Sequence, residues 1–255
     1  MRNNLGKPLI ILAILGSFLV GFHKADASDD SSEVSRNLIE AFGTWTDAFD
    51  MENGIDPSWE FPFGAPRPAN LNSNDLKTVL SLRRFAVNGE LGSLESLVDL
   101  VERRQDEIPV QMRFWLAYGQ NLLLKEQSCL ISLQLLLAVP DGWEPLENGQ
   151  QAWVLTRTAD SLFILGQREL ASELYARLAV SPREQLNLWG TYQLAGLNFL
   201  NRNFEEAGRM YRVICAADKP VPWNEHACAM VEIAGRLTLL GKEGSQHGDV
   251  ASTTP

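Results

Sequence analysis

The chain has 255 residues, 45% of them hydrophobic, and its 32 acidic against 22 basic side chains give a formal net charge of −10. That balance repels phosphate backbones and anionic headgroups, which excludes nucleic acid as the main partner. The length suits one domain or one short repeat array.

The first residues, Met1-Arg2-Asn3-Asn4-Leu5-Gly6-Lys7, are basic and carry no acid. An uncharged apolar run from Pro8 to Phe22 follows, and then His23-Lys24-Ala25-Asp26-Ala27. Basic, apolar and small-residue parts in that order form the pattern of an export signal, with a cut expected after Ala27. At about 15 residues the run is shorter than the roughly 20 needed for a stable membrane span. Residues 1–27 are therefore expected to send the rest to the periplasm. The alternative is an uncleaved tether in the inner membrane through residues 8–22. Without residues 1–27 the formal charge is −12.

Residues 28–74 form a distinct front end. Glu33 to Phe49 fits one amphipathic helix through Leu38, Phe42, Trp45 and Phe49. The segment Asp56 to Pro68 places four prolines among Trp59, Phe61 and Phe63, which excludes regular helix there. We expect a strap that lays its aromatics on the first helical pair. Docking on a partner and a plain linker are the other readings.

Residues 75–241 repeat a pair of helices. Leu76 to Val87 leads through Asn88-Gly89-Glu90 to Leu91, Leu94, Leu97, Val98 and Val101. Trp115, Tyr118, Gly119 and Leu122 to Leu124 precede a turn at Lys125-Glu126-Gln127 and a helix from Cys129 to Ala138, with Pro140 after it. Leu155, Ala159, Leu162 and Leu165 share one helical face, Gly166 follows, and Ala171, Leu174, Tyr175 and Leu178 form the next face. In the fourth copy Trp189, Tyr192, Leu194, Ala195, Leu197, Phe199 and Leu200 come first, Asn203 is the expected left-handed turn residue, and Ala207, Tyr211 and Ile214 follow. Glu225 to Leu240 is a lone helix expected to stop at Gly241 and cover the open end of the stack, while residues 242–255 read as a flexible tail.

The equivalent turn positions 89, 126, 166, 202 and 241 are spaced by 37, 40, 36 and 39 residues. Leu194-Ala195, Ala207, Tyr211, Ile214 and Pro220 resemble the tetratricopeptide (TPR) family. So do Thr158-Ala159, Gly166, Ala171, Tyr175, Leu178 and Pro182 one copy earlier. The family has Leu-Gly in the first helix, Gly at the turn, then Ala, an aromatic and Ala in the second. Its period is 34, so these copies are degenerate. The resemblance implies an all-α fold, an α-solenoid of TPR-like hairpins with a terminal capping helix.

In such a stack the first helices line a concave wall. The repeat frame puts Arg83, Arg113, Gln120, Trp153, Asp160, Trp189 and Tyr192 on it. Trp153 and Trp189 occupy one repeat position and are either groove anchors or core. Phe163, Phe199 and Leu200 also turn inward, favouring an apolar target or self-association.

Cys215 and Cys228 fall on consecutive helices, which makes them the better disulfide pair of the three cysteines; closing that loop would contribute roughly 3 kcal/mol. The alternative is two buried thiols that never meet. Cys129 lies in an apolar run, the setting of an inert thiol. His226 and Cys228 on one helix point about 200° apart and do not converge on a metal. No phosphate-binding Gly-rich loop, nucleophile elbow or His-Glu-x-x-His is present. The expectation is a non-enzymatic periplasmic adaptor or assembly factor that binds a protein or peptide and needs no cofactor. Two alternatives remain. One is a structural subunit of an envelope or secretion complex. The other is a polysaccharide-acting enzyme, which would need two facing carboxylates.

Overall fold

The computed structural model describes residues 29–51, 71–104, 108–217, 221 and 223–248. The expected export segment, the strap aromatics Trp59, Phe61 and Phe63, and residues 249–255 lie outside them. The described residues form ten α-helices and no strand, so the fold is all-α. In chain order they are α1 (Asp29–Met51), α2 (Ser73–Asn88), α3 (Leu91–Glu102), α4 (Val110–Leu122), α5 (Glu126–Leu137), α6 (Asn148–Ile164), α7 (Arg168–Ala179), α8 (Glu184–Leu200), α9 (Phe204–Cys215) and α10 (Asn224–Gly248). Among the described residues no helix is long and apolar enough to cross a membrane.

Four turns close four helix pairs in one way. Gly89, Leu124, Gly166 and Arg202 all have positive φ, between 58° and 84°. The amide after each donates to a carbonyl five residues back: Glu90 to Phe85, Lys125 to Gln120, Gln167 to Leu162 and Asn203 to Asn198, each at 2.9 Å. This six-to-one bond around a left-handed residue ties off carbonyls that the helix end leaves without partners. Two sequence expectations are corrected by it. The left-handed residue of the fourth pair is Arg202, since Asn203 has φ −81°. The second pair turns at Leu124 rather than at 125–127, so α5 already starts at Glu126. Glycine is the residue that tolerates this conformation without strain, which is why a search for turn residues passes over leucine and arginine.

Counted from the left-handed residue, the burial pattern repeats. Five residues on stand Leu94, Cys129, Ala171 and Ala207, nine on Val98, Leu133, Tyr175 and Tyr211, and twelve on Val101, Leu136, Leu178 and Ile214, all buried. Seven residues before it stand Leu82, Ala117, Ala159 and Ala195, also buried. Offsets of four and then three place the second-helix residues on one face, and Ala117, Ala159 and Ala195 in three of the first helices allow that face to come close. From α2 to α10 every helix packs on the next, and α2 also meets α4 as α6 meets α8. Helices α7 and α8 come close at Gly190, where a Cβ would lie 2.5 Å from the backbone nitrogen of Ala179 and 2.6 Å from the carbonyl of Tyr175.

Helix α1 returns to the middle of the chain and packs on α5, α6 and α7. Leu38, Phe42 and Trp45 are its buried stripe. The Trp45 indole donates to the Leu137 carbonyl at 3.2 Å and meets Trp143 edge-on at 5.9 Å. At the other end Cys215 and Cys228 are joined by a disulfide (S–S 1.97 Å), which staples α9 to α10. Helix α10 begins one residue earlier than expected and runs past Gly241 to Gly248. Residues 242–248, expected in the tail, are therefore helical. No proline interrupts them, and a glycine in a helix costs only about 1 kcal/mol.

Leu124 is 86% exposed, so its side chain repays little of the backbone strain. Leu124→Gly should raise unfolding free energy by roughly 0.5–1 kcal/mol, whereas Gly166→Ala should lower it by about 1 kcal/mol. Urea titration at unchanged slope measures both. A destabilised Leu124→Gly would contradict this account of the turn.

Candidate functional site

The first helices meet along a band of aromatic rings. Phe114 and Tyr118 on α4 pack edge-on against Trp153 on α6, at 5.4 and 5.3 Å between centroids. Farther along the chain, Trp189 and Tyr192 on α8 gather around Trp223, at 4.8 and 5.9 Å. Tyr192 also meets Tyr211 and His226. Burial pushes the Tyr192 phenol up to about 12, while partial burial holds the His226 imidazole below its ordinary 6.5. The Tyr192 hydroxyl and Nδ1 of His226 share a hydrogen bond of 2.7 Å, its direction set by the tautomer of the ring.

Between the two aromatic groups stands Asp160. Its Oδ1 accepts from the Tyr175 hydroxyl at 2.8 Å and from the Trp189 indole at 3.3 Å. One carboxylate oxygen thus ties α6 to α7 and α8. Burial raises this carboxyl to about 6, against the opposing pull of Arg157 and of the two donors. Arg157 itself is held by Glu126 on α5, in a half-buried ion pair. Glu126 is the other acid whose charge reaches Asp160, and it is occupied by that pair. On the same side Cys129 is buried, and burial lifts its thiol to about 11, where it stays protonated. Among the described residues no three His, Cys, Asp or Glu side chains converge as metal ligands, and the sulfurs of Cys215 and Cys228 are spent on each other.

The residues expected to be exposed on a concave wall are placed unevenly. Arg83, Trp153 and Asp160 are half-buried. Arg113 and Gln120 are only 7% and 1% exposed, because α4 is enclosed: every residue from Gln111 to Gln120 is buried. Gln120 hydrogen-bonds Glu102 at 2.7 Å, tying α4 to α3. Trp189 and Tyr192 are 8% and 5% exposed and belong to the core. The expectation of a side chain open to a partner is therefore corrected for Arg113, Gln120 and Tyr192, while Trp189 takes the core place that was one of its two readings.

The same stripe of the first helices is open at its other end. Two residues before the left-handed position stand Val87, Leu122, Ile164 and Leu200, all apolar. Val87 and Ile164 are each 44% exposed and Leu200 is 37% exposed, while Leu122 is half-buried. Phe163 and Phe199 are half-buried beside them. The fixed offset from the turn is a signal legible in sequence once the turn residue is known.

No known protein-family model matches this chain, and among curated proteins and solved structures none is similar to it.

Asp160 gives a direct check on this arrangement. Its folded carboxyl titrates above its ordinary 3.8, so the folded state holds that proton more tightly than the unfolded state does. Stability should then fall as pH rises from about 4 to about 6, and stay flat in this group's contribution above that. Asp160→Asn should remove the fall. Carbon-detected NMR titration should place the Asp160 midpoint near 6, and a midpoint at or below 4 would refute the buried setting.

Proposed function

We propose that the helix pairs from α2 to α9, with α10, make a TPR-like α-solenoid whose first helices line a concave groove. In this reading the protein is a non-enzymatic adaptor or assembly factor that holds a protein or peptide in that groove. In the same reading residues 1–27, which have the pattern of an export signal, send it to the periplasm, tethered through residues 8–22 if the segment is retained.

The observation that carries the reading is the apolar row Val87, Ile164 and Leu200. It recurs at one register in three of the four pairs and stays exposed there, while Leu122 in the second pair is half-buried, and the core beneath is complete without it. Single exposed leucines are ordinary, but a row at a fixed offset is the form of a contact surface. Helix-in-groove and extended-segment recognition both use such rows of apolar anchors with polar rims.

A second reading, a permanent subunit of an envelope complex, draws on another face. Leu91 and Leu100 on α3 are also exposed, at 50% and 58%. Apolar contacts on two faces suit a subunit enclosed by neighbours.

Ile164→Asp and Leu200→Asp test the groove reading. Each should melt within about 1 kcal/mol of wild type, since neither side chain fills the core, and each should lose whatever the tagged exported protein retains. Full retention by both variants would contradict the groove. Loss on Leu91→Asp alone would favour the permanent subunit.

A further inference from the structure

We infer that the groove selects a basic apolar segment: a lysine or arginine of the ligand pairs with Oδ2 of Asp160 while neighbouring apolar side chains lie on Phe163, Ile164, Phe199 and Leu200. This inference rests on the groove reading and adds the chemical class of what the groove takes.

Asp160 is a held carboxylate whose nearby cation is paired with another acid. Both hydrogen bonds it accepts end on Oδ1, and they come from neutral donors on two different helices, Tyr175 and Trp189. Those bonds fix the group's orientation. The nearby cation, Arg157, is engaged by Glu126 on α5. Tyr175 remains a neutral donor because burial and the adjacent carboxylate push its phenol well above the ordinary 10.

The surroundings restrict what can fill the open side. Trp153, Asp160, Phe163 and Ile164 share one stripe of α6, at helical spacing. On α8, Phe199 and Leu200 carry the apolar surface on. A lysine or arginine matches such a place, because its methylene stem lies on apolar side chains while its head reaches the charge. An acidic ligand would set two like charges together in a weakly hydrated site, and the net charge of −10 opposes its approach.

Burial raises Asp160 to about 6 in the free protein. A cation on Oδ2 offsets that penalty, so capture should weaken as pH falls through 6. The charged and titratable groups around Asp160 are Arg157, Glu126 and Tyr175. Of these, Tyr175 keeps its proton there, since burial and the adjacent carboxylate raise it.

The test uses the whole exported protein and a labelled amphipathic peptide of leucine and lysine about 14 residues long. Two further forms carry glutamine or glutamate in place of lysine, and binding is read by fluorescence anisotropy. Wild type should bind the lysine form about tenfold or more tightly than the glutamine form, and the glutamate form least. Asp160→Asn should abolish most of that preference, whereas Glu173→Gln, an equal charge change at an exposed site on α7, should leave it. A preference that survives Asp160→Asn, or that Glu173→Gln removes equally, overturns the inference. If the glutamine form binds as tightly as the lysine form, and Ile164→Asp removes both, the inference falls while the groove reading stands. If no form binds, both fall.

Discussion

One backbone device orders the molecule: a left-handed residue followed by an amide that reaches back five residues. It occurs at Gly89, Leu124, Gly166 and Arg202 with the same 2.9 Å bond. Because it fixes how the second helix leaves the first, it also fixes which residues face inward. Leu94, Cys129, Ala171 and Ala207 therefore hold the same place despite different side-chain volumes. Where the inward residue is small, a tyrosine one turn later fills the gap, as at Tyr175 and Tyr211. Where it is larger, valine or leucine suffices, as at Val98 and Leu133. Packing volume is kept roughly constant by compensation within each pair.

The second tier of organisation is polar and runs across pairs. Asp160 joins three helices through one oxygen, Gln120 joins α4 to α3, and Tyr192 reaches His226 on α10. Gln151 holds the connection before α6 through the carbonyls of Trp143 and Leu146. Buried polar groups of this kind fix the relative placement of elements that apolar contact alone would leave freer. They also separate two zones on the first helices. The N-terminal halves, with Trp189 and Tyr192, are closed by rings, and the C-terminal ends, with Ile164 and Leu200, are open. Any binding role falls to the second zone.

Much of the helical order was legible in the sequence, because Ala171, Tyr175, Leu178 and their counterparts Ala207, Tyr211 and Ile214 recur at spacings that only a helix puts on one face. The amphipathic stripe Leu38, Phe42 and Trp45 was legible for the same reason. What escaped was what periodicity cannot encode. Leu124 and Arg202 adopt a conformation that composition assigns to glycine or asparagine. Helix α1 docks on α5, α6 and α7, far along the chain, and nothing local in its sequence names those neighbours. Arg113 and Gln120 look like solvent-facing side chains by type, yet α4 is surrounded and their polar ends are drawn into the interior. At Asp160 the residue type was legible and the setting was not, since its partners Tyr175 and Trp189 come from two later helices.

The claim on which all of this depends is that the four turns are one closed motif, including the two that lack glycine. Residue-resolved hydrogen exchange measures it directly through the amides of Glu90, Lys125, Gln167 and Asn203, whose side chains lie at the surface or close to it. All four should exchange as slowly as amides inside the adjoining helices, because each is held by its six-to-one bond. Exchange of Lys125 or Asn203 at the rate of an open chain would mean that the shared register does not exist.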